Sequence, residues 1–268
     1  MTNVNINGFS MNIEVHAGLL PMDTVFIHGN LASNRWWEPS IALWKKDAKP
    51  AYEGRLIAAE WRGCGKSAAP RSESELDPHL LADDYVQALH QMGVKKACLV
   101  GHSTGGLIGL LALLKAPDLF DRAVFLDPVS AAGVKFEPEL LGAFTQMSRD
   151  RNMCSLVMSG TIHGVDAKDV FFQKLVDDAF GVAQEIWHGI PKALSNIDIT
   201  AELAKITQPV LVLHGEFDTV LPIEESRKMA AALPNGKFEM LTGQGHSTNV
   251  ESPSLFVQLT NDFLFNRA

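Results

Sequence analysis

Apolar residues in this chain follow two rhythms. Short blocks dominated by apolar residues occur at 24–27, 55–59, 96–100, 123–126, 210–213 and 238–241. Blocks of this length, nearly continuous rather than alternating, predict strands covered on both faces. Between them, apolar residues recur every three or four positions. That spacing predicts helices over 34–46, where Trp36, Trp37, Ile41 and Trp44 fall on related faces, and over 77–92, with Gly93 as C-cap. Further helices are expected at 105–115, 224–233 and 253–265, and a short hairpin over 5–7 and 11–16 turns around Gly8. Strands alternating with helices predict an α/β class: a doubly wound, mostly parallel sheet. Functional side chains are then expected just past the C-terminal strand ends.

One interval breaks this alternation. From Asp127 to Val210 no core strand is evident, and a crossover needs far fewer residues. Helical patterns cover 138–149, 167–180 and 183–194. The expectation is a helical cap at 131–197 inserted into a core made of 1–130 and 198–268. Phe144, Met147, Met158, Phe172 and Trp187 are candidates to line an apolar pocket, since adaptable methionines suit irregular cavities. The same residues could instead pack the cap, and spacing alone does not separate the two roles.

Candidate chemistry begins where the block at 96–100 runs into Gly101-His102-Ser103-Thr104-Gly105 and then a helical pattern. A serine on a tight turn between strand and helix needs small residues two positions away on either side, and Gly101 and Gly105 meet that need. Its hydroxyl is a poor nucleophile unless a base takes the proton, and the base needs an acid to orient it. Chain order after Ser103 supplies both. Asp218 follows the block at 210–213, and His246 follows the block at 238–241. Asp127, at the end of the block after the elbow helix, is the alternative acid. Glu216 is a weaker rival. Attack on a carbonyl also needs N–H donors for the oxyanion. The backbone N–H of Thr104 is one candidate, and the second is Asn30 or Leu31, in the loop after 24–27. His28 is expected to shape that loop.

Composition narrows the partners. The 268 residues are 46% hydrophobic and 20% charged, with formal net charge -8. An acidic chain argues against nucleic acid as main partner. No apolar run is long enough to span a bilayer, and residues 1–7 lack a basic start and apolar core, so a cytoplasmic location is expected. Three cysteines, widely spaced, form neither a disulfide framework nor a zinc pattern. Cys98 reads as a core residue, and Cys64, in a Gly-rich turn, as exposed. His79, His90 and His163 read as surface or packing residues. No metal and no cofactor are expected.

Taken together, the segments 26–30, 101–106, Gly215-Glu216-Phe217-Asp218 with Pro222, and Gly243-Gln244-Gly245-His246 resemble the α/β-hydrolase superfamily across nearly the whole chain. The turn at 62–67 resembles that family's Arg-Gly-x-Gly-x-Ser turn, with Cys64 where a His is common. The resemblance implies a serine hydrolase of the carboxylesterase kind, acting on a small to medium, largely apolar ester through an acyl-enzyme. Members with an aspartate nucleophile are set aside because position 103 is Ser. Epoxide hydrolases also use cap tyrosines, and the two tyrosines here, Tyr52 and Tyr85, precede the cap. Thr104 stands where dehalogenases place a halide-binding Trp. The alternatives with the same residues are a lactonase, including acyl-homoserine lactone opening, a carbon–carbon bond hydrolase and a perhydrolase side activity. A slow-turnover ligand receptor and an acyltransferase rank lower. The expected partner is a small-molecule ester.

Overall fold

The computed structural model describes residues 2–266. Met1, Arg267 and Ala268, which fall within the expected core segments, lie outside the described residues. The chain opens with a hairpin, β1 (Thr2–Ile6) and β2 (Phe9–Leu20), then β3 (Thr24–Ile27), α1 (Glu38–Asp47) and β4 (Gly54–Ala59). Next come α2 (Pro78–Gln91), β5 (Ala97–His102), α3 (Thr104–Lys115) and β6 (Phe120–Leu126). Four helices follow without a strand: α4 (Pro138–Met147), α5 (Arg151–Ser159), α6 (Val170–Phe180) and α7 (Gln184–Asn196). The chain closes with β7 (Val210–Gly215), α8 (Ile223–Ala232), β8 (Gly236–Leu241), the short α9 (Thr248–Glu251) and α10 (Pro253–Phe265).

Among the described residues, eight strands form one sheet in the order β1-β2-β4-β3-β5-β6-β7-β8. The pairings β1–β2 and β2–β4 are antiparallel, and the rest are parallel. Successive side chains of a strand point to opposite faces, and the two cores obey that rule. Ala97 and Leu99 of β5, Ala123 and Phe125 of β6, and Val210 and Val212 of β7 enter one core, with α2, α3 and parts of α4–α7. Cys98 and Val100, Val124 and Leu126, and Leu211 and Leu213 enter the other, with α1 and α10. Burial on both faces explains why these strands read as continuous apolar blocks.

Phe26 anchors the second core. Its ring meets Trp37 and Trp44 edge-on, with centroids 5.2 and 5.1 Å away. Truncating Phe26→Ala removes both contacts and leaves a cavity that the flanking indoles cannot fill. The expected loss is about 3–5 kcal/mol of unfolding free energy in a urea titration; a loss under about 1 kcal/mol contradicts this packing.

Several local expectations are corrected. The hairpin strands are longer than 5–7 and 11–16. The helix expected over 34–46 divides into a 3-10 turn at Asn34–Trp37, capped by the Ser33 side chain, and α1. Pro39, in the first turn of α1, fits the helix start, where its missing N–H costs nothing. Cys64 is fully buried rather than exposed, and burial pushes its thiol pKa up. Helix α4 stops at Met147, and α5 was not anticipated. The Asp150 side chain caps α5 by accepting from the N–H groups of Asn152 and Met153. Among the described residues, no helix is long and apolar enough to cross a membrane.

Candidate active site

Strand β5 delivers Ser103 at the turn into α3. Its backbone sits at φ 55, ψ -122, a conformation rarely adopted by a residue with a side chain. The surroundings hold it there. Ser103 N–H donates to Leu126 O at 2.9 Å, and Ser103 O accepts from Gly106 and Val129 N–H. A Cβ on Gly101 would lie 2.5 Å from Gly105 O, and one on Gly105 would overlap Ile27 O. Both glycines are therefore required by close backbone approach. Strain of this kind concentrates at functional sites.

The two loops after β7 and β8 bring Asp218 and His246 together. His246 Nδ1 lies 2.7 Å from Asp218 Oδ2, with both side chains almost wholly buried. Burial alone would raise the Asp218 carboxyl. The adjacent His246, with its hydrogen bond and that from Val220 N–H, outweighs it and holds Asp218 below its usual range. An ionised Asp218 only accepts, so Nδ1 carries the proton and Nε2 is left as the basic nitrogen. Of the rival acids, Glu216 accepts from Gly243 N–H at 2.9 Å, and Asp127 accepts from Gly215 N–H at 2.8 Å. Neither is bonded to His246.

His102 braces the histidine loop, its Nε2 donating to His246 O at 2.8 Å. Burial, then the neighbouring His246, lowers the His102 pKa to about 3. Burial likewise lowers His28 to about 4, where its Nδ1 is 2.9 Å from Trp61 Nε1. Both rings are thus neutral when folded and protonate near 6.5 when unfolded. Stability from this source is complete above about pH 6.5 and falls as pH drops towards each folded value. Urea titrations should show a fall of about 2 kcal/mol per histidine between pH 7 and 5. A profile flat over that interval rules out neutral burial of the pair.

Ser103 and His246 line one cavity of about 350 Å³. Asn30, Leu31 and Thr104 line it too, so the proposed oxyanion donors share its wall. Leu31 has φ 51, a second strained position in the site. Helices α4, α5 and α7 contribute apolar lining that includes Phe144, Met147 and Met158. Phe172 and Trp187 do not line it. They are 1% and 0% exposed and pack into the core between the helices. Sequence reasoning missed Trp36, Phe136, Leu194 and Val220 on the wall. Apolar periodicity marks the buried face of a helix without saying whether side chains or a void lie opposite.

Three carbonyl and carboxylate contacts tie the segment after α5 to these loops. Glu251 accepts from His163 N–H at 2.9 Å, Gly245 N–H at 2.6 Å and Ser247 N–H at 3.0 Å. Ser247 Oγ donates to Thr161 O at 2.6 Å, and Thr219 Oγ1 to Gly160 O at 3.3 Å. Glu251 thereby grips both flanks of His246. His163 itself packs its ring 4.8 Å from that of Phe217. Among the described residues, one group has metal-like donors within 4.8 Å of each other: Asp127, His214 and Asp218. Their polar atoms face one another, the His246 and Ser226 side chains and backbone groups. His214 Nε2 faces the Leu221 carbonyl at 3.2 Å, which requires a proton on that nitrogen.

Comparison with known proteins agrees with this architecture. A family profile described as alpha/beta hydrolase fold matches residues 25–253. A Caulobacter sp. protein described as a carbamate hydrolase, RutD, is 29% identical over 95% of this chain and 96% of its own. A bifunctional esterase/perhydrolase, DCH, of Acinetobacter calcoaceticus is 30% identical over 82% of this chain and 83% of its own. Among solved structures, the enol-lactonase of Burkholderia xenovorans LB400 superposes with TM-score 0.85 at 20% identity, covering 98% of this chain and 99% of that one. The chain belongs to the alpha/beta hydrolase fold family and is a hydrolase.

Proposed function

We propose that the protein is a serine carboxylesterase that cleaves a small to medium, largely apolar ester. Ser103 is the nucleophile, His246 the base and Asp218 the acid that orients it. Ser103 Oγ attacks the ester carbonyl while His246 Nε2 takes its proton. The N–H of Thr104, with that of Asn30 or Leu31, receives the oxyanion. Collapse breaks the ester C–O bond, and His246 returns the proton to the departing alkoxide. Water then attacks the acyl-enzyme with His246 again as base, releasing the acid and restoring Ser103. Residues 131–197 act as a cap over the core segments 1–130 and 198–268, supplying the acyl-side wall. The observation that carries this reading is the 2.7 Å His246–Asp218 contact in a cavity shared with a strained serine.

A second reading keeps the residues and changes the substrate to a carbamate. The 29% identical relative favours it, and so does Asn30, whose buried Oδ1 has no hydrogen-bond partner in the cavity wall. That oxygen suits a substrate N–H. The test is a panel of nitrophenyl esters of rising acyl length beside matched N–H carbamates. Higher kcat/KM for the short esters supports the ester reading. Preference for carbamates that disappears in Asn30→Ala supports the second. Turnover of neither class contradicts both.

A further inference from the structure

The triad reading leaves the buried acid beside Asp218 without a role. Asp127 is fully buried, and its backbone sits in the left-handed region at φ 43. Its Oδ1 accepts from Gly215 N–H, but its Oδ2 is buried with no hydrogen-bond donor among the described residues. The same carboxyl lies close to that of Asp218, with an oxygen of each within 4.8 Å of the other. Two ionised carboxylates sealed together repel strongly, and one proton between them removes both the repulsion and the orphaned oxygen.

We propose that Asp127 is a neutral carboxylic acid whose Oδ2–H donates to the Asp218 carboxylate, holding Asp218 in place for His246. The inference rests on the triad reading and adds a positioning residue to it. The donor supply decides which acid keeps the charge. Asp218 accepts from three N–H groups, His246 Nδ1 at 2.7 Å, Val220 N at 2.6 Å and Leu221 N at 3.1 Å, and His214 Nε2 lies 3.3 Å from it. Asp127 faces one, from Gly215. The other charged neighbour, Glu251 at the end of α9, also disfavours a negative Asp127. Burial first, then Asp218, pushes the Asp127 carboxyl well above its usual range.

His214 does not supply a compensating cation. Its Nε2 faces two acceptors, Leu221 O and Asp218 Oδ2, and so carries the ring proton. Its Nδ1 is 2.8 Å from Ser226 Oγ, which donates to it, and 3.6 Å from Asp127 Oδ1, too far for a hydrogen bond. Burial also lowers the His214 pKa. The cluster therefore holds a single negative charge, on Asp218.

The test compares Asp127→Ala, Asp127→Asn, Asp218→Asn and Ser103→Ala in the full chain, with thermal unfolding as a folding check. Asp127→Ala should lower kcat on the order of 10–100-fold with little change in KM, as for lost outer hydrogen-bond partners. An amide at 127 can accept from Gly215 and donate to Asp218. Asp127→Asn should therefore recover kcat to within about threefold of the parent, with the acid limb of its pH profile unmoved. If Asp127 were ionised, this variant would delete a negative charge and shift that limb to lower pH. That shift, or a loss as deep as in Asp218→Asn, overturns the proposal. If the alanine variant does not fold, the asparagine variant decides alone. Isotope-edited infrared spectra give an activity-independent reading. A protonated-carboxyl carbonyl band at neutral pH should be present in the parent and missing in Asp127→Asn; a parent without it contradicts the proposal. Full activity in Ser103→Ala defeats the triad reading instead, and the infrared band still reports on the Asp127 proton.

Discussion

Replacing Ser103 by alanine is expected to lower kcat/KM for nitrophenyl esters by about 10⁴- to 10⁶-fold, equivalent to about 5–8 kcal/mol of transition-state stabilisation. The size follows from what the hydroxyl does. Without it no acyl-enzyme forms, and only the binding and electrostatic contributions of the cavity remain. The fold should be indifferent to the change. Alanine occupies less space, and the strained turn is set by Gly101, Gly105 and the backbone bonds of residue 103 to Leu126, Gly106 and Val129. Steady-state kinetics with an unfolding curve separates the two effects. A variant that keeps more than about a tenth of the parent rate removes the serine from the reaction.

Asp218→Asn should cost about 10⁴-fold in kcat with the cavity geometry intact. The carboxylate at 218 accepts from His246 Nδ1, which places the imidazole proton on that nitrogen. An amide there either donates to Nδ1 or meets a second donor. Either outcome favours a proton on Nε2, the nitrogen that must take one from Ser103. The backbone bonds from Val220 and Leu221 to Oδ1 can survive, because the amide oxygen still accepts. Measured beside Asp127→Asn, this variant also settles the choice of acid. A deep loss at 127 with little loss at 218 exchanges their roles.

The sheet was legible because its strands are buried on both faces, so each block such as 97–100 or 123–126 reads as unbroken apolar sequence. The loops after β5, β7 and β8 were legible because close approach and turn geometry dictate their glycines. Asp218, preferred over Asp127 from sequence, is the one of the two that lies beside His246 Nδ1, at 2.7 Å. What was not legible depends on distances between elements remote in the chain. Phe144 and Phe172 belong to similar amphipathic helices, yet one faces the cavity and the other the core. Helix α5 was hidden because it is only nine residues long and only three residues separate it from α4, so the two run together as one pattern, although Asp150 carries a readable cap signal. Cys64 looked exposed from its glycines, but the turn folds inward against the core. The proximity of Asp127 to Asp218 joins strands β6 and β7, and no local pattern records it.

The most direct test of the account is labelling with a fluorophosphonate, which reacts with an activated serine hydroxyl and stays bound as an adduct. Tryptic mapping by mass should place one adduct on the peptide carrying Ser103, with labelling abolished in Ser103→Ala and strongly slowed in Asp218→Asn. A folded protein that takes no label, or takes it on a serine other than Ser103, contradicts the account.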